Sequence, residues 1–170
     1  NVNLDYIYKF CALWGAHEGS ILLWLLLLQI WFVITACTKD NNQYCYNSYG
    51  FAVINLVLLQ YIIWFSNPFA RIFMNIPENG LDLNPGFIIH PPLLYLGYVG
   101  YAAMFCIALN FKNFVKNLKL IQKINIISWG FLTLGITIGS FWAYYELGWG
   151  GFWYWDPVEN ASIMPWFLGT

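Results

Sequence analysis

Charge is scarce in this chain: 9% of its 170 residues are Asp, Glu, Lys or Arg, against roughly a quarter in soluble proteins. That scarcity excludes an ordinary water-soluble domain. The net charge of −1 offers no basic surface, and no nucleic-acid partner is expected. Paired cysteines are missing as well. Cys11, Cys37, Cys45 and Cys106 form no C-x-x-C pair and no metal-ligand spacing. Cys37 and Cys106 fall inside apolar runs, where a thiol acts as a small hydrophobe, and no function is assigned to any of the four. The sequence has no signal-peptide pattern at its start, no repeats and no low-complexity linkers. It begins without Met, and an apolar run opening at Ala161 is cut at Thr170, so it reads as part of a longer polypeptide or of a multi-chain assembly.

Hydrophobic residues are abundant, at 60% of the chain. Runs near 20–38, 49–65, 93–111 and 124–147 are long enough to cross a hydrocarbon core, which takes about 20 apolar residues. The expectation is an all-α integral membrane protein: one domain over 1–170, about four complete transmembrane helices, the start of a fifth, and outer loops at 66–92 and 148–160.

Sidedness follows from the few charges. Lys39, Lys112, Lys116, Lys119 and Lys123 fall in the connections 39–48 and 112–123, whereas the alternate segments carry only Lys9 and Arg71. The positive-inside rule places those two connections on the cytoplasmic or matrix side. Asp5, Glu18, Glu78, Asp82, Glu146, Asp156 and Glu159 then lie in or beside the opposite segments, with His17 and His90. Any chemistry faces the outer compartment.

The outer loops are punctuated by turn formers: Asn67-Pro68, Pro77, Asn79-Gly80 and Asn84-Pro85-Gly86 in the first. A loop of that length is more often functional than filler. Both loops are read as ending in helix starts. His90-Pro91-Pro92 precedes the run from Leu93, since Pro favours a helix's first turn. Asp156-Pro157-Val158-Glu159 has an acceptor at the N-cap, Pro next and Glu at the third position, close to a capping box. Asp156 is therefore a cap first, fixing where the rings before it point. Gly130, Gly135, Gly139 and Ser140 are read as a close-packing face of the helix over 124–147, which Tyr144, Tyr145 and Glu146 close at the outer interface.

The second outer loop is the most suggestive segment. Residues 145–166 gather Tyr145, Trp149, Phe152, Trp153, Tyr154, Trp155 and Trp166 around glycines at 148, 150 and 151. An aromatic belt at the bilayer interface explains a few such rings. This density, with glycines that let backbone approach a ligand, fits a large planar partner such as a porphyrin. His90 is the candidate iron ligand, because a helix N-terminus disfavours imidazolium and a neutral ring ligates iron. The plain alternative is a hydrogen-bonded loop histidine. His17, in Trp14-Gly15-Ala16-His17-Glu18-Gly19-Ser20, is read as pairing with Glu18 before a helix capped by Ser20. A bis-histidine site with His90 is sterically conceivable.

WGAHEGS at 14–20, SNPF at 66–69, DLNP at 82–85, HPPLLYLGYVG at 90–100, LTLGITIGS at 132–140 and WAYYELGWGGFWYWDPVENASIMPW at 142–166 resemble, in order, the CcmF haem lyase family of cytochrome c maturation. That family belongs to a wider group of haem-handling membrane proteins with a tryptophan-rich WWD loop. The resemblance covers nearly the whole chain, and the WWD and HPP blocks are its specific parts. It implies that haem is accepted from a CcmE-type chaperone and joined by thioether bonds to the C-x-x-C-H cysteines of apocytochrome c. It also implies that Trp149, Trp153, Trp155 and Asp156, with Trp166 nearby, form the haem platform, and that His90 is an axial ligand. The family's second outer histidine and its paired b-haem histidines lie beyond Thr170, so a second lyase polypeptide is expected to supply them. The Asn-, Tyr-, Phe- and Ile-rich composition suits an organelle-encoded, split version in the mitochondrial inner membrane, facing the intermembrane space.

Two other functions compete with a haem lyase subunit. A descendant kept as a non-catalytic structural subunit of a respiratory complex would use its rings as lipid or protein contacts. A haem exporter would want polar groups within the spans, where Gln29, Asn55 and Gln60 are the candidates and none is charged.

Overall fold

The computed structural model describes residues 6–37, 41–69, 85–109, 114–148 and 151–170. Among them the chain is all helix: α1 Tyr6–Gly15, α2 His17–Cys37, α3 Asn41–Phe65, α4 Pro85–Ala108, α5 Phe114–Glu146 and α6 Pro157–Leu168. Four helices are long and apolar enough to cross a membrane, with spans at His17–Ala36, Ser48–Phe65, Ile88–Ala108 and within Phe114–Glu146. These match the four expected runs.

The starts of α2 to α5 lie earlier than the sequence reading, while α6 begins at Pro157 as read. α2 begins at His17, so Ser20 lies inside it. Its hydroxyl donates to the His17 carbonyl at 2.8 Å and does not cap a helix at Ile21. α5 begins at Phe114, which turns most of the supposed connection 112–123 into helix. At 33 residues α5 is about 50 Å long, well beyond a hydrocarbon core of about 30 Å. Its lysine-bearing first turns are therefore more than the apolar span needs. α1 was not anticipated. The turns read around Pro77 and Asn79-Gly80 fall outside the described residues.

α4 carries the largest correction. It begins at Pro85, not at Leu93, so His90-Pro91-Pro92 lies inside the helix and the loop after Phe65 ends early. Pro91 and Pro92 each remove a helical hydrogen bond. A membrane helix tolerates this where neighbouring helices re-satisfy the freed groups.

α4 and α5 form the most extensive helix pair. Small residues bring them together. A Cβ on Gly97 would meet the Leu132 backbone nitrogen at 2.7 Å, and one on Gly135 would meet that of Leu94 at 2.8 Å. Gly130 was read as part of this face, but a Cβ there would meet nothing within 4 Å. The core gathers Leu28, Trp31, Val99, Ala103, Cys106 and Ile107 from α2 and α4, and the Trp31 Nε1 donates to the Leu96 carbonyl at 3.1 Å. Gln29 donates to Asn55 at 2.6 Å, so these two span amides satisfy one another.

Candidate functional site

His90 is half-buried and lies level with Gly135 and Gly139, roughly two to three turns before the C-terminal end of α5. The sequence reading set it at the interface ahead of a helix, and its neutrality was argued from the dipole at that helix's start. Five residues inside α4, it is past the first turn, where that effect fades. A hydrogen bond fixes the tautomer. The Nδ1 of His90 lies 2.8 Å from the Gly135 carbonyl, which can only accept, so Nδ1 carries a proton and, in the neutral ring, Nε2 is the nitrogen with the lone pair. Gly139 makes the fit possible, because a Cβ there would collide with the imidazole.

Trp142, which sequence reasoning did not single out, completes this setting. Its indole stacks on the imidazole, 6.4 Å between centroids and 15° between planes. On its other side a Cβ on Gly86 would come within 2.7 Å of the indole. Its Nε1 is buried without a hydrogen-bond partner. The signal was present in the sequence: Gly135, Gly139, Trp142 and Ala143 recur at helical spacing and share one face of α5.

Two cavities flank His90. One, of about 120 Å³, is lined by His90, Gly139, Trp142, Asp156 and Glu159 among others. The second, of about 460 Å³, lies between α1, α2, α4 and α6 and is bounded mainly by aromatic and aliphatic side chains. The structure thus brings Asp156 to the same cavity as His90.

Asp156 is the expected cap. Its Oδ1 accepts from the Glu159 backbone N–H at 2.5 Å, and the Glu159 carboxylate accepts in return from the Asp156 N–H, with Pro157 opening the helix. The same Glu159 oxygen also accepts from the Tyr154 N–H at 2.8 Å, and Asn160 donates to the Trp155 carbonyl at 2.9 Å. The first turn of α6 therefore clamps the loop before it. Between the clamps, Trp155 has φ +57°, a left-handed conformation rare for a bulky residue, costing about 1–2 kcal/mol. Only a well-determined setting keeps such strain.

The other ring residues part company. Trp155 is 72% exposed, while Trp153 is half-buried, with its ring edge-to-face on Trp155 at 5.9 Å. Neither lines the two cavities. Trp166 is deeper, stacked on Trp129 at 5.5 Å and donating to Thr133 at 2.7 Å, in the seam between α5 and α6. Trp149 falls outside the described residues. His17 contacts Ser66 at 3.2 Å and Tyr61 by ring edge, whereas His90 contacts Gly135 and Trp142. Among the described residues no group of three or more His, Cys, Asp or Glu is placed to hold a metal ion.

Comparison with known proteins adds to this geometry. The family model described as cytochrome C assembly protein matches residues 14–170. The chain is 44% identical over 181 residues to the cytochrome c-type biogenesis protein NrfE of Haemophilus influenzae, covering 99% of this chain and 28% of that protein. It is 45% identical over 182 residues to CcmF of Escherichia coli, with 100% and 28% covered. It is 44% identical over 176 residues to CycK of Bradyrhizobium diazoefficiens, with 96% and 26% covered. The chain thus spans little more than a quarter of the length of these curated relatives. No solved structure matches the chain significantly.

Proposed function

Because the chain belongs to the cytochrome c assembly protein family of c-type cytochrome biogenesis, we propose that it is the haem-binding part of a membrane haem lyase, with His90 the axial ligand of the haem it handles. The observation that carries this reading is the hydrogen bond from His90 Nδ1 to Gly135, which in the neutral ring leaves Nε2 as the ligating nitrogen of a side chain that lines a large cavity. The residues present fit such a substrate. A cavity of about 460 Å³ falls within the roughly 300–1,000 Å³ usual for ligand pockets.

Haem supplies the vinyl groups, and the C-x-x-C-H cysteines of apocytochrome c supply the thiols. The work of this chain is to hold and orient, which is the larger part of a reaction limited by placement. His90 fixes one axial position, and the α5 face of Gly135 and Gly139 sets the angle of its ring. The clamped loop presents Trp153 and Trp155 as the outer rim where a CcmE-type chaperone and the apocytochrome dock. A second lyase polypeptide completes the ligand set.

The relatives named above are bacterial, which favours a bacterial plasma membrane with the site on its periplasmic face. The mitochondrial inner membrane is the organellar equivalent, supported by composition alone. His90→Ala tests the reading: mature c-type cytochrome should disappear while the protein stays in the membrane at normal abundance. Normal maturation in that variant removes His90 from the mechanism. A purified assembly with no haem spectrum, but with respiratory subunits attached, would point to a structural subunit instead.

A further inference from the structure

We propose that the flat ring of the ligand enters the slot between α1, α2, α4 and α6, which Trp14 and Trp24 line together with His90; the proposal rests on the haem reading of His90. Size separates the two cavities that His90 touches. About 120 Å³ on the Trp142 side is too little for a tetrapyrrole, whereas about 460 Å³ on the other side is enough. The lining is also suited to a planar, mostly apolar ring. Trp14, Trp24, Tyr95 and Tyr98 supply aromatic surface, and Pro91 and Ala161 supply apolar walls.

This assignment also explains WGAHEGS, the motif that the loop and His90 leave without a role. α1 and α2 are separated by Ala16 alone, and a Cβ on Gly19 would collide with the Leu13 carbonyl. The corner therefore closes tightly only with glycine at that position. Phe10 braces Trp14 edge-to-face at 5.5 Å, and His17 ties the corner to Ser66 at the end of α3. The motif thus fixes an indole at the slot's edge. Trp155, 72% exposed, is left at the rim and not at the floor.

The test is haemin titration of the 170-residue chain in nanodiscs, read against empty nanodiscs by the Soret band and by quenching of tryptophan emission. Trp14→Ala, with native helicity confirmed by circular dichroism, should weaken haemin binding about tenfold, and Trp14→Phe should recover most of it. Ala161→Phe fills the slot without deleting a wall and should weaken binding at least as much. His90→Ala should lose the axial-ligand Soret signature yet still quench tryptophan emission. If Trp14→Ala and Ala161→Phe bind haemin like the parent while His90→Ala loses the signature, the ring lies elsewhere; the slot is then refuted and the haem reading stands. If the parent itself takes up no haemin and the slot holds a lipid acyl chain, both fail together.

Discussion

The imidazole of His90 is held between two glycines of one helix: its Nδ1 donates to the carbonyl of Gly135, and its ring rests where a side chain on Gly139 would otherwise stand. One turn of α5 thus sets both the tautomer and the tilt of the ring. The stacked Trp142, three residues further along, keeps it from swinging away.

Gly139→Ala should therefore be costly out of proportion to one methyl group. The new Cβ collides with a ring that is hydrogen-bonded on one edge and stacked on a face, and overpacking of this kind costs about 1–3 kcal/mol. A lower thermal midpoint, together with a loss of cytochrome maturation approaching that of His90→Ala, is expected. Gly130→Ala is the matched control, since a Cβ there meets nothing within 4 Å and only helix propensity changes.

Asp156 offers a clean separation of shape from charge. Asn caps helices as well as Asp, so Asp156→Asn should keep the start of α6 and cost only a few tenths of a kcal/mol. Asp156→Ala removes the acceptor for the Glu159 N–H and should cost about 1 kcal/mol. Chemical unfolding measures the difference. If maturation survives Asn but not Ala, Asp156 acts through the cap; if both abolish it, the charge itself is needed beside His90.

Replacing Trp155 by glycine should stabilise the isolated turn and harm the protein's work at the same time. Glycine adopts φ near +57° without penalty, a local gain of about 1 kcal/mol. Asn160→Ala acts in the opposite sense, freeing the Trp155 carbonyl. Hydrogen exchange at residues 154–156 should then speed up in Asn160→Ala while the rest of α6 stays protected.

Cys11 should resist chemistry. Its thiol is 1% exposed, and burial pushes its pKa up from the ordinary value, so little thiolate is present at neutral pH. Maleimide labelling in the folded protein is expected to be slow, and fast after denaturation. Rapid labelling of the native chain would mean that α1 opens.

The parts of this architecture that depend on neighbours in sequence were legible. Four spans announce themselves by length and apolarity, and Asp156-Pro157-Val158-Glu159 gives its capping box because every partner lies within four residues. Helix starts were read too late for physical reasons. Lys116, Lys119 and Lys123 look like loop charges yet are good helix formers, and they extend α5 beyond what the apolar span needs. Pro91 and Pro92 look like a beginning because proline is favoured in a first turn, but Pro85 already occupies that position. The pairing of His90 with Gly135, and of Trp142 with Gly86, depends on how α4 lies against α5, which no run of residues encodes locally. The clamp of Glu159 on Tyr154 was hidden for a different reason: a capping glutamate normally reaches back only to the cap itself.

The length of α5 has one more consequence. The rod that offers Gly135, Gly139 and Trp142 to the imidazole near its C-terminal end bears its lysines toward the opposite tip. Orientation and ligand geometry are thus written on a single rigid body. By the positive-inside rule, moving those cations to the other tip should favour the reverse orientation and carry the setting of His90 with it.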